Sequence, residues 1–167
     1  MTAIDIRRHY EPGIIGRIGE LHGRFYADAW GTGAAFEIFT LRALIDFFER
    51  YDPARDLFLT AHAGDTVIGS LAVQGRVGAD DAAQIRFVIV DPGYHGRGTG
   101  KAMLTAALAW CREQPYRTLF LWTVHHAAQT QSRTMYEHAG FQVVERTQDA
   151  RYSVPLESIK MLRHLDR

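Results

Sequence analysis

Apolar and polar residues change period repeatedly along the 167-residue chain, and each change marks an element. Ile4 and Ile6 alternate with Asp5 and Arg7, which predicts a short strand ending near His9. Pro12-Gly13 breaks the chain, and Ile14, Ile15, Ile18, Leu21, Phe25 and Tyr26 then fall on one helical stripe running to about Asp28. Gly16, Gly19 and Gly23 weaken that helix by about 1 kcal/mol each relative to alanine, so it must rely on packing. After a loop at Trp30-Gly31-Thr32-Gly33, a second helix carries Phe36, Phe39, Ala43, Leu44, Phe47 and Phe48 on one face. Asp52-Pro53-Ala54-Arg55 is a turn, and Leu57 to His62 and Val67 to Val77 read as strands joined by a Gly64-Asp65 hairpin.

The second half is organised around a strand, a loop and a helix. A β-branched and aromatic run from Ile85 stops at Pro92, glycines punctuate the turn, and Met103, Leu104, Ala107, Leu108 and Cys111 then recur on one helix face. Leu119 to Val124 is nearly continuous in apolar residues and predicts a strand buried on both faces. A helix through Gln131, Met135 and Tyr136 to Ala139 is closed by Gly140, and Phe141 to Gln148 and Ser158 to Leu165 supply two further strands. The strands on either side of the central helix are expected to be parallel, in a right-handed βαβ unit. The expected class is mixed α/β (α+β), a mostly antiparallel central sheet of about seven strands flanked by about four helices.

Length and composition narrow the functions. The chain suits a single domain over residues 1–167. Nineteen basic residues balance nineteen acidic ones, so no global field draws in nucleic acid or an anionic membrane, and any phosphate site must be local. A lone cysteine, Cys111, lies on an apolar helix stripe and reads as a small buried hydrophobe in a reducing compartment. No signal-like segment or membrane-length apolar run is evident, so a soluble, cytoplasmic protein is expected. His125-His126 is not read as a metal pair, because successive strand-end residues point to opposite sides and no cysteine is near. No metal is expected.

The candidate chemistry begins at Gly96-Arg97-Gly98-Thr99-Gly100-Lys101. Three glycines at a helix start leave backbone N–H groups pointing into open space, the helix dipole adds positive potential, and Arg97 and Lys101 add mobile cations. A diphosphate would fit. The loop is no Walker motif, since Ala102 rather than a hydroxyl residue follows Lys101, and Gly98 to Met103 fails the dinucleotide pattern at its last position. It resembles the acetyl-CoA-binding motif of the GNAT superfamily of N-acetyltransferases, Q/R-x-x-G-x-G/A after a V-x-P strand end. Val90-Asp91-Pro92 and Gly98-Thr99-Gly100 match, with His95 where glutamine or arginine is usual. Met135-Tyr136-Glu137-His138-Ala139-Gly140-Phe141, one strand and helix later, is similar to the superfamily's Y-x-x-x-G-F signature, with Gln129 where an asparagine is usual. His22, Tyr26, Glu37 and the segment Tyr51-Asp52-Pro53-Ala54-Arg55 look closest to acetyltransferase domains fused behind MarR-type regulators, although no DNA-binding module is present in this sequence.

The resemblance implies an acyltransferase that moves an acetyl group from acetyl-CoA directly to a primary amine of a small molecule or peptide. It implies diphosphate binding by Gly96 to Lys101, strand-like pairing of the pantetheine arm with Val88, Ile89 and Val90, contacts from His95 and Gln129, and protonation of the leaving sulfur by Tyr136. A base for the acceptor amine is open among His22, Glu37, Asp91 and His125, with His22 and Glu37 the best polar candidates beside the loop from Tyr26 to Phe36, the segment that covers the acceptor in the superfamily. A non-catalytic CoA-binding sensor working with a transcription regulator is the alternative. Exposed edge strands leave room for a homodimer.

Overall fold

The computed structural model describes residues 3–149 and 154–165. Its elements are β1 (Ile4–Arg7), α1 (Ile14–Trp30), α2 (Ala34–Glu49), β2 (Leu57–Ala63), β3 (Thr66–Gly75), β4 (Ala82–Val90), α3 (Thr99–Arg112), β5 (Thr118–Val124), α4 (Thr130–His138), β6 (Gln142–Asp149) and β7 (Leu156–His164). They build a seven-stranded sheet in the order β1-β2-β3-β4-β5-β7-β6, in which only β4 and β5 run parallel. This is the mixed, mostly antiparallel sheet with four α-helices that the apolar pattern predicts.

Strand alternation distributes the core. Leu57, Leu59, Leu71 and Val73 pack with Met103, Leu104 and Ala107 of α3, and with Tyr136 and Phe141 around α4. Their neighbours Phe58 and Ala72 point the other way, onto Ile14 and Ile18 of α1 and Leu44 and Phe47 of α2. The glycines of α1 have a packing role. A Cβ at Gly19 would lie 2.5 Å from Leu41 Cδ2, so its absence lets the two helices approach. β5 corrects the expectation of a strand buried on both faces: Leu119 and Leu121 are inside, but Trp122 is 39% exposed and the Lys160 ammonium lies 4.8 Å from the Phe120 ring centre. The cause is coverage. α1 packs on β3 and β4, and α2 reaches β2 and β3 through Leu44 and Phe47, so β5 is left with thinner cover.

Two features of β4 create an opening. Ser70 pairs with Ile89 and Ala72 with Arg86, so Phe87 and Val88 together oppose the single residue Leu71. Phe87 sits at φ 52°, a strained left-handed conformation for a bulky residue. The strain is held by the Ser70 hydroxyl, which donates to the Phe87 carbonyl at 2.6 Å, and by the Phe87 ring, 5.8 Å from that of Phe47. Pairing of β4 with β5 stops at Ile85 and Leu121, just before this bulge. Beyond it β4 keeps β3 and β5 keeps β7, so the facing edges of the two strands part and leave a gap at their carboxyl ends.

Candidate active site

One wall of the gap is the turn before α3. Gly96 and Gly98 have φ of 74° and 77°, backbone that L side chains rarely adopt, and Gly98 caps α3 without a side-chain bond. The first helical bond is donated by Ala102 to the Gly98 carbonyl. Among the described residues, none of the six N–H groups from Gly96 to Lys101 donates to a protein acceptor. The Thr99 hydroxyl beside them is buried and has no partner. Such a row of convergent, unbonded donors at a helix N-terminus is an anion cradle. It opens on a cleft of about 750 Å³ that is also lined by Val88, Ile89, Val90, Leu104, Gln129 and Met135.

A second cleft of about 470 Å³ lies under α1 and α2, lined by His22, Trp30, Phe36, Arg86, Trp122 and Tyr136 among others. Tyr26, Val88, Gln129 and Ser132 line both, so the two clefts meet across the strand gap. At this junction Gln129 Nε2 donates to the Tyr26 hydroxyl at 3.3 Å, and Ser132 Oγ donates to Gln129 Oε1 at 2.6 Å. Tyr136 is 4% exposed; burial raises its phenol above the ordinary range, with Tyr26 adding to the effect, so it is protonated throughout the neutral region. His22 is also buried. Its Nδ1 donates to the Ile18 carbonyl at 2.8 Å, which leaves the lone pair on Nε2, and burial pushes the imidazole down to about 4 against the opposing effect of that bond.

A family model described as the acetyltransferase (GNAT) family matches residues 17–141, three quarters of the chain. The chain belongs to the GNAT acetyltransferase family. Solved structures share its fold along their whole length. A GNAT-family acetyltransferase from Staphylococcus aureus has a TM-score of 0.76 at 17% identity, over 98% of this chain and 100% of its own. An acetyltransferase from Streptococcus agalactiae has 0.75 at 18%, over 99% and 100%. The ribosomal-protein-S18-alanine N-acetyltransferase from Escherichia coli has 0.71 at 17%, over 99% and 96%. No curated protein matches the sequence.

Within this GNAT fold the residues singled out in the sequence divide sharply. Val88, Ile89, Val90, His95, Gly96, Gly98, Thr99, Gly100, Lys101 and Gln129 line the first cleft, while Tyr136 and His22 line the second. Arg97 does not line it: its guanidinium lies 4.9 Å from the Tyr94 ring centre, facing outward. His95 Nε2 bonds the Val90 carbonyl at 2.7 Å, closing one acceptor at the end of β4. Glu37 is not brought to either cleft, because its carboxylate packs 3.3 Å from where a Cβ would sit at Gly23 on α1. Asp91 caps the turn after β4 through the Gly93 N–H and pairs with Arg17. His125 joins a surface network with Arg133, Arg146 and Glu157. His22 is thus the one candidate base lining a cleft. Among the described residues no group of His, Cys, Asp or Glu could hold a metal, and no helix is long and apolar enough to cross a membrane. Cys111 is buried, and burial pushes its thiol up to about 12.

Two lining residues were not singled out in the sequence. Ser132 is an ordinary helix serine until the fold sets it against Gln129. Arg86 carried a usable signal, a cation inside the otherwise apolar run Ile85 to Val90. Trp30 lies in the expected acceptor loop from Tyr26 to Phe36, and packing adds that its indole N–H is buried without a partner among the described residues.

Proposed function

We propose that the protein transfers an acetyl group from acetyl-CoA directly to a primary amine of a small molecule or peptide, acting as one acetyltransferase domain over residues 1–167. The supporting observation is the run of unbonded N–H groups from Gly96 to Lys101, opening on the same cleft as the unpaired edge of β4. The residues fit the donor. The cradle and the buried Thr99 hydroxyl match a diphosphate, and the free edge of Val88 to Val90 accepts an extended amide chain as an added strand. Bound there, acetyl-CoA supplies an acyl group activated on sulfur.

The chain's own work is positioning and proton management. Gln129 and Ser132 fix the junction where the two clefts meet, and the amine approaches from the side of His22. As the new C–N bond forms and the C–S bond breaks, the amine proton becomes strongly acidic. His22 Nε2, weak as a base at about 4, suffices to accept that proton and pass it to solvent. Tyr136 donates its hydroxyl proton to the departing sulfur and recovers one from solvent, which completes the proton balance.

His95 favours a second reading, because its bond to the Val90 carbonyl occupies an acceptor that a pantetheine arm would use. In that reading the protein is a non-catalytic CoA-binding sensor associated with transcription regulation. If the protein dimerises, the edge strands β1 and β6 are the natural seam. Incubation with acetyl-CoA and a panel of amines separates the two functions. Amine-dependent release of free thiol with acetylated product supports transfer, donor binding without release at any amine supports the sensor, and no donor binding contradicts both.

A further inference from the structure

The second cleft carries an unbalanced charge. Among the described residues Arg86 is its one formally charged lining side chain, and no aspartate or glutamate lines it. Among the described residues Arg86 forms no ion pair; Nη1 donates to the neutral Gln74 Oε1 at 2.6 Å, and the guanidinium stacks 4.8 Å from the Phe87 ring centre. Its remaining N–H donors reach no protein acceptor among the described residues. Burial lowers its pKa; Asp46 opposes this and Arg50 reinforces it. Asp46 is engaged by Arg50 and makes no ion-pair contact with Arg86 among the described residues. A second wall adds the Trp30 indole N–H, buried and without an acceptor. Both unmet groups are donors.

We infer that the acceptor amine carries a carboxylate, as an amino acid does, and that Arg86 is the specificity-determining residue that binds it. The inference rests on the transferase reading and names its substrate class. Partly buried guanidinium groups are ordinarily matched by anions, and the planar fork suits a carboxylate in two-point contact. One cation among neutral neighbours balances one negative charge, which favours a monocarboxylate over a phosphate dianion. A cleft whose described lining holds one fixed positive charge and no carboxylate repels polyamines and lysine-like cations while attracting a zwitterion. The cation also disfavours the protonated form of the amine, the form that cannot attack.

The test pairs each free amino acid with its α-amide as acceptor. It also titrates N-acetyl amino acids and their methyl esters into the CoA-loaded protein by calorimetry, a readout independent of turnover. The free acid is expected to exceed its amide in kcat/KM by roughly tenfold or more, the scale of one charge-assisted contact. Arg86→Met, which keeps an unbranched side chain and removes the guanidinium, should level acid and amide by raising acceptor KM without changing donor KM, and Arg86→Lys should recover part of the difference. Because the acid–amide comparison uses the unaltered protein, it stands even if the variants fold poorly. Turnover with acid and amide equal would overturn the carboxylate assignment and leave the transferase standing. Carboxylate-selective binding without turnover would keep the assignment and remove the transferase. If neither acids nor amides bind or react, the assignment is overturned together with the reading beneath it.

Discussion

The donor cleft and the acceptor cleft are built from different material. On the proposed donor side, recognition is assigned to main-chain N–H groups that a helix start leaves unbonded and to a strand edge that the Phe87 bulge frees. On the proposed acceptor side it is assigned to side chains from α1, α2, β4, β5 and α4 that share no local motif and meet where the sheet splits. A backbone site depends on few residue identities, chiefly the glycines that permit its conformation. Side-chain sites can be rewritten one residue at a time while the scaffold persists. The solved acetyltransferase structures are under one fifth identical to this chain yet alike in fold along their length.

Tyr136 lines the second cleft and gives the sharpest way to break the comparison. Tyr136→Phe should lower kcat by about 10²–10⁴-fold with donor affinity little changed, as measured by steady-state kinetics and calorimetry. Because burial holds the phenol above its ordinary range, the wild-type kcat profile should show no basic limb from this group up to about pH 10.

Next in size is a pH effect confined to the acceptor side. His22 is held at about 4 when folded and returns to about 6.5 when unfolded. The unfolded chain therefore binds more protons between these values, and stability rises with pH across that window. On the order of 3 kcal/mol should be present above pH 6.5 and lost as pH falls to 4. Urea unfolding of the wild type against His22→Gln should show the difference in slope only within that window.

Substitutions in the cradle follow. Gly98→Val forces a β-branched residue into φ 77° and should weaken donor binding by about 10- to 30-fold, read as a rise in Kd, with acceptor KM unaltered. Thr99→Val should give a smaller and double-signed effect. Removing a buried, unpartnered hydroxyl should raise the melting temperature of the free protein, while the stabilisation gained on adding CoA should shrink because a ligand contact is lost.

The same division explains what could be read from the chain. Strand and helix periods and the two motifs of α3 and α4 placed every described element to within a few residues, because amphipathic spacing and glycine turns are local physics. The glycine turn before α3 was legible for that reason. Glu37 was not, since its position depends on how closely α1 and α2 approach at Gly23, a tertiary fact. Arg97 was expected among the phosphate ligands on sequence proximity, but its stem turns toward Tyr94. The openness of β5 depends on where α1 and α2 stop, which no alternation within β5 records.

Titrating CoA into ¹⁵N-labelled protein and following the amides by NMR tests the backbone cradle most directly. The amides of Gly96 to Lys101 should shift together as CoA binds and remain still with pantetheine, which lacks the diphosphate. CoA binding that left those amides unmoved would contradict the account.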